Sequence, residues 1–492
     1  MSEASLCGKI VIRGTLFLDS PLVIRGGETP ECPLHEVDAY VLRNEEGYPY
    51  IPGTSLAGVL RATLQKQGDS HSEGMVRLLF GHTNQHDQEE KEEEFQSMVD
   101  VSDVLLEEKT SGWRDGIAIH SFTGTAEEEK KYDYEVVERG NRGNMEIIIT
   151  LRKHNLGEKG KLLPVLRQGI DSLLGSLSAG IRIGAYTAKG FGIVSSKDVA
   201  AVYYDFRKKD HIAAWLEYNP EIDITEWAES AVRCGCKIRK GKDVIEDDRL
   251  AISIDAFFDL ESSILIGDGR MSGNEKNPAV SKESYLLPGT SIKGTLRHHS
   301  EKILRQFQRS ASLLNDMMGF AANDVDKGDV SSNDGKKSRF IVKEVYIPPE
   351  KVVKEGQVRN RIDRFTGGTI GTALFSENSL WQKNKQDAPI HLHLALEKCH
   401  DGSIESWEIG LTLFLLRDMW QGRVAFGSGK SIGRGRLRGR SADICICAKD
   451  KSPECYHLDA KGFDLTDVEK KAIEYYAESF YAKMHEKEVM ES

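Results

Sequence analysis

The chain has 492 residues, enough for two or three domains with cores of their own, and a formal net charge of −11. No apolar run reaches the roughly 18 residues that span a bilayer. The opening Met-Ser-Glu-Ala-Ser-Leu-Cys lacks the basic start and apolar middle of a signal peptide, so the expectation is a soluble cytoplasmic protein with no membrane partner.

The negative charge argues at first against nucleic acid. The acid is clumped, however. Asp87 to Glu94 is an almost continuous acidic run, whereas Lys430 to Arg438 carries only basic charges, and a basic stripe is all that nucleic-acid binding requires. Eight cysteines are too few for a disulfide scaffold in a chain of this length. Cys234-x-Cys236, Cys445-x-Cys447 and His391-x-His393 suit alternate positions of strands better than a zinc site.

In chain order, Ile10 to Leu18 reads as a strand, followed by a polar loop to about Tyr40 that contains His35-Glu36-Val37-Asp38. Residues 51–61 read I-P-G-T-S-L-A-G-V-L-R: a turn at Pro-Gly, an N-cap oxygen from Thr54 or Ser55, and Leu56, Val59, Leu60 and Leu64 at helical spacing to about Gln67. Gly58 is the odd residue, since mid-helix glycine costs about 1 kcal/mol relative to alanine; its use suggests that a backbone passes too close for a Cβ. A helix start with free N–H groups, hydroxyls and a nearby arginine is a natural phosphate seat. Strands follow at Met98–Leu106 and Gly116–Ile119, then a charged hairpin over Phe122–Glu138, a strand Met145–Leu151, a helix near Leu162–Leu174 and a last strand through Ile193. Setting the hairpin aside, the order is β-α-β-β-α-β, the ferredoxin-like pattern of an α+β fold.

The pattern then repeats. Residues 287–297 read L-P-G-T-S-I-K-G-T-L-R, Phe122-Thr123-Gly124 recurs as Phe365-Thr366-Gly367, and the glycine-rich stretch 180–192 is matched by 426–435, all in the same order. The expected organisation is a first domain over 1–198, a partly helical joining segment over 199–248, a second domain over 249–448, and a tail with a charged helix over 449–492.

Three motifs in order, each present twice, resemble the RAMP superfamily of CRISPR-associated proteins: P-G-T-S-x-x-G-x-L-R after the first strand, R-I-D-R-F-T-G (361–367) before a hairpin, and the glycine-rich tail. The nearest likeness is to backbone subunits of type III effector complexes, as a tandem fusion of two in the manner of III-D-like variants. The resemblance implies two RRM-related, ferredoxin-like palms gripping guide CRISPR RNA, hairpin thumbs pushed between bases, target RNA paired to the guide, and further subunits of the complex as partners. It places a cleaving aspartate in the loop between first strand and first helix, where this chain has Asp38, with Mg²⁺ or another divalent cation as its cofactor. In the second copy Asn274 to Asn277 stand there, and Asp268 is the nearest aspartate. The candidates for gripping RNA are Ser55, Gly58, Arg61, Arg182 and Lys189 in the first copy, and Ser291, Lys293, Gly294, Arg297, Lys430, Arg434 and Arg436 in the second. The sequence leaves open a purely structural guide holder and a histidine ribonuclease using His35 or His120. Asp363 reads as an orienting partner of Arg361 or Arg364.

Overall fold

The computed structural model describes residues 5–26, 39–65, 70–81, 96–120, 123, 125–153, 161–241, 249–267, 275–320, 335–360, 362–370, 374–399, 401–447, 453–460 and 467–486. They divide into two compact units.

In the first unit the long strand β1 (Leu6–Leu18) alternates its side chains between two covered faces. Ile10, Ile12, Leu16 and Leu18 meet the helix α1 (Gly53–Gln65), which buries Leu56, Leu60 and Leu64 at fourfold spacing. Along the chain follow the helix α2 (Ser70–Phe80), the strand β2 (Val99–Val101), a hairpin of β3 (Ser111–Ile119) and β4 (Ala126–Val137) most of which falls in the second unit, the strand β5 (Arg142–Arg152) and the helix α3 (Leu163–Ala179). Pro164 opens α3, where a missing N–H costs nothing. Two short strands close the unit, β6 (Ile193–Ser195) and β7 (Ala200–Asp205). All pairings are antiparallel and run β7-β1-β5-β2, the ferredoxin-like order, with β6 pairing the far end of β1.

Of residues 199–248, expected to join the copies, residues 200–205 and 237–240 are strands of this first sheet. Asp198 makes the break between β6 and β7 by accepting from Thr15 N and Thr15 Oγ1, both at 2.8 Å, so β7 can continue along β1. After β7 come α4 (Lys209–Leu216), α5 (Ile224–Arg233) and an edge strand β8 (Lys237–Lys240) paired with β7. Trp227 and Ala231 close over Val11, Val202 and Tyr204 on the second face of the sheet.

The second unit repeats the plan: β9 (Leu250–Leu260), α6 (Gly289–Gln306), β10 (Phe340–Val342), a hairpin of β11 (Val352–Arg359) and β12 (Phe375–Gln382), β13 (Ile390–Glu397), α7 (Ser406–Trp420) and β14 (Leu437–Ile446). The order β14-β9-β13-β10 matches that of the first unit, with the edge strand β15 (Glu454–Leu458) beyond β14. The expected tail is therefore also part of a sheet. Its helix α8 (Asp467–His485) packs on α7 through Tyr476, Phe480 and Met484, and Gly410 permits the contact, since a Cβ there would stand 2.2 Å from Tyr476 O. Cys445 and Cys455 are directly opposite on β14 and β15 and form a disulfide, a single cross-link and not a scaffold. Among the described residues no helix is long and apolar enough to cross a membrane.

One exchange was invisible in the sequence. Residues 113–134 and 188–190 lie in the first copy but fold as part of the second unit. There the Arg114 guanidinium meets the Glu344 carboxylate at 3.3 Å, both side chains almost wholly buried.

Candidate nucleic-acid interface

The repeated Pro-Gly-Thr-Ser elements start their helices two or three residues earlier than expected. Pro52 and Pro288 occupy the N-cap position, their carbonyls accepting from Leu56 N and Ile292 N at 3.1 Å, so Thr54, Ser55, Thr290 and Ser291 lie inside the first turn and are not caps. In the first copy Asp103 Oδ1 already accepts from Gly53 N at 2.7 Å, so an acidic side chain takes one of the free amides. Gly53 and Gly289 are packing glycines: a Cβ would lie 2.0 Å from Val101 O in one and 1.9 Å from Lys189 O in the other.

Gly58 and Gly294 are different. A Cβ at either position would meet nothing within 4 Å. The packing of the described residues gives no reason for a glycine in the middle of either helix.

The glycine-rich tails are also built alike. Ala185 N donates to Val23 O and Ser428 N to Leu265 O, each at 2.8 Å; Gly192 N donates to Pro21 O at 2.7 Å and Gly435 N to Ser263 O at 2.8 Å. Between these bonds each tail makes one 3-10 turn, Thr187–Lys189 and Lys430–Ile432. A Cβ at Gly435 would stand 1.9 Å from Phe426 O, so this glycine serves a crossing of the chain over itself.

The cations expected to grip RNA part ways. Arg61 is exposed and has no partner among the described residues. Arg297, at the same place in the second copy, is tied down: it donates to Gly319 O at 2.5 Å and pairs with Glu301 at 3.3 Å. Arg182 and Lys189 are half-buried and both already have partners. Lys430 is exposed and reaches Thr295 Oγ1 on α6 at 3.4 Å, and Arg436 is exposed, its backbone amide donating to Ser262 Oγ and its carbonyl accepting from Glu261 N, both at 3.0 Å.

Two of the expected cations are structural. Arg434 is 4% exposed and donates to Glu377 at 2.8 Å and Gln357 at 2.9 Å, fastening the tail to the hairpin strands. Lys293 is 8% exposed because it follows Ile292 on the face of α6 turned inward, and its ammonium donates to Phe340 O at 2.9 Å. Burial, helped by the charges of Lys189, Arg297 and Lys337, pushes its pKa down to about 7.

An unfolded lysine holds its proton to about pH 10. The unfolded chain therefore binds more protons than the folded one between pH 7 and 10, so this lysine's penalty is full below pH 7 and is relieved as pH rises through that window. Lys293→Met should flatten the gain in stability from pH 7 to 10, measured by urea unfolding, and leave RNA affinity unchanged. A retained slope would place the titrating group elsewhere.

The Phe365-Thr366-Gly367 element was expected to precede a hairpin but stands at its tip, between β11 and β12. Asp363 Oδ1 accepts from Phe365 N at 2.7 Å and Thr366 N at 2.9 Å, bonds from Thr366 and then Phe365 that hold its pKa below the usual carboxylate range. It orients the turn through these backbone bonds. The equivalent residue in the first hairpin, His120, accepts from Thr123 N through Nδ1 at 3.2 Å. That bond gives His120 a turn-building role. With its tip held this way, the second hairpin leaves Phe365 100% exposed.

Asp38, His35 and Asp268 lie outside the described residues, as do Phe122 and Arg361. Among the described residues no group of three His, Cys, Asp or Glu side chains is placed to hold a metal ion. The sequence reading missed His298, Lys302, Arg305 and Arg423, which gather beside Lys430. Their signal was available: His298, Lys302 and Arg305 continue the line of Ser291 and Gly294 along one face of α6 at helical spacing.

A family model described as the RAMP superfamily matches residues 15–195 and again residues 257–438. No curated protein matches the chain.

Proposed function

Because the chain belongs to the RAMP superfamily, a group associated with CRISPR effector complexes, we propose that it is a cytoplasmic, guide-RNA-holding backbone subunit of a type III complex whose first copy cleaves complementary target RNA. The observation that carries the RNA-holding half is the pair Gly58 and Gly294. Each costs its helix about 1 kcal/mol against alanine, and each leaves open space where a Cβ would be. A sugar-phosphate backbone lying against each helix would use that space.

Phe365, on the hairpin of the second copy, supports the deformation of target RNA that such cleavage requires. A bare aromatic ring at a hairpin tip is disfavoured in water and suited to entering between bases, unstacking one and turning its ribose away from helical geometry. That turn brings a 2′-OH toward in-line attack on the adjacent phosphate. A divalent cation such as Mg²⁺ would supply the positive charge that the phosphorane needs, and the sequence context assigns Asp38 to hold it.

Backbone gripping is tested by binding the full chain to two single-stranded RNAs of unrelated sequence over a salt series. Affinity for both should fall with salt in parallel, and replacing Arg61 and Arg436 by glutamine should weaken both by the same factor while flattening the log–log slope by about 1.4. Weakening that depended on sequence would overturn the account.

A further inference from the structure

The second unit contains an open pocket of about 620 Å³ between the C-terminal half of α6 and the chain that follows α7. Lys302, Arg305, Arg423 and Lys430 line it, and Val424 and Ala425 provide an apolar surface. Lys302 is exposed and its ammonium has no partner among the described residues. The neighbouring carboxylate, Asp418, pairs with His299 at 2.7 Å and with Arg423 at 3.5 Å, so it offsets part of the Arg423 charge and leaves Lys302, Arg305 and Lys430 uncompensated by it. Burial works against the Asp418 carboxylate, but His299, Arg423 and Arg417 outweigh it and keep its pKa below the usual range. His298 also lines the pocket; burial, with the charges of Lys430, Arg297 and Arg305, lowers its pKa, so its ring is neutral near pH 7.

The fold does not require this pocket. In the register of the repeats, Ala62 stands where His298 does, Gly180 where Arg423 does, Thr187 where Lys430 does, and Asp69 where Arg305 does; of the four permanent cations only Lys302 has a basic counterpart, Lys66. A grip on the repeating backbone of a strand would be expected in both copies, as Gly58 and Gly294 are. A feature present once suits a part of the ligand that occurs once. A phosphodiester carries one negative charge, whereas a terminal phosphate carries close to two, and four cations around a space the size of one nucleotide match the latter better.

We propose that the pocket lined by Lys302, Arg305, Arg423 and Lys430 binds a nucleotide bearing a terminal phosphate, either the end of a bound RNA strand or a free nucleoside polyphosphate. The phosphate lies among the four cations, and the base has the His298 ring and the apolar surface at Val424 and Ala425 to lie against. As an RNA end, this ligand rests on the RNA-holding reading above; as a free nucleotide it does not.

The test uses the full chain and one short unstructured RNA prepared with 5′-hydroxyl, 5′-phosphate or 3′-phosphate ends, with ATP titrated separately. For wild type, one phosphorylated end or ATP should bind about tenfold more tightly than its counterpart, hydroxyl-ended RNA or adenosine. The variant with Lys302, Arg305 and Arg423 all changed to glutamine should lose that preference. Preference for a phosphorylated RNA end assigns the strand terminus; preference for ATP alone assigns a free nucleotide. If the variant weakened hydroxyl-ended and phosphate-ended RNA by one common factor, the pocket would be an internal strand contact and the proposal would fail. Wild type with no preference in any arm would also overturn it. If wild type bound none of the RNAs, the RNA-holding reading would fall, while saturable ATP binding lost in the variant would still sustain the pocket.

Discussion

Replacing Gly58 and Gly294 together by valine should lower RNA affinity about a hundredfold while leaving the melting temperature unchanged or slightly higher. The two effects separate because they have different causes. Valine is a somewhat better helix former than glycine, and its Cβ would meet nothing within 4 Å at either site, so folding loses nothing. A nucleic-acid backbone lying against these helices would be pushed away by the added methyl groups and lose phosphate contacts, and a loss of about 2.7 kcal/mol is a factor of about a hundred. Thermal melts and fluorescence anisotropy with labelled RNA measure the two quantities on one preparation. Loss of stability and affinity in parallel would mean that the glycines serve internal packing after all, and unchanged affinity would remove RNA from these helix faces.

The second large effect concerns Asp38. Within the assembled complex, Asp38→Ala should erase one target-RNA cut, a fall of at least about a hundredfold, with guide binding and assembly intact. Asp268→Ala should cost less, because the second copy has Asn274 to Asn277 where the first has its aspartate. The readout is a denaturing gel of end-labelled target RNA incubated with Mg²⁺, with a chelator lane beside it. An unchanged ladder for Asp38→Ala would assign cutting to another subunit and leave this chain as a structural holder of guide RNA. A band lost only with Asp268→Ala would move the active site to the second copy, and cleavage that survived the chelator would favour histidine acid–base chemistry.

The sequence by itself determined the duplication and the type of fold. Strand alternation, helical spacing and Pro-Gly turns are local, so each is written in neighbouring residues, and repetition of three motifs in one order made the two domains legible. Gly58 and Gly294 were legible for the same reason: glycine inside an otherwise good helix contradicts its own surroundings wherever the helix lies.

Only the tertiary structure decided what became of the charged residues. Lys293 and Arg434 look like exposed cations in sequence, yet one is turned inward beside Ile292 and the other reaches the hairpin strands through Glu377 and Gln357. A long side chain takes its partner from whatever distant segment is packed beside it. The same non-local pairing recruited residues 200–205 and 237–240 into the first sheet and residues 113–134 into the second unit. Strand pairing is fixed by the partner strand and not by the segment's own composition, so a stretch that reads as a linker can complete a sheet. The basic pocket on α6 depends on both kinds of information: the stripe His298, Lys302 and Arg305 is periodic in sequence, but Arg423 and Lys430 join it only because α7 returns the chain to that helix.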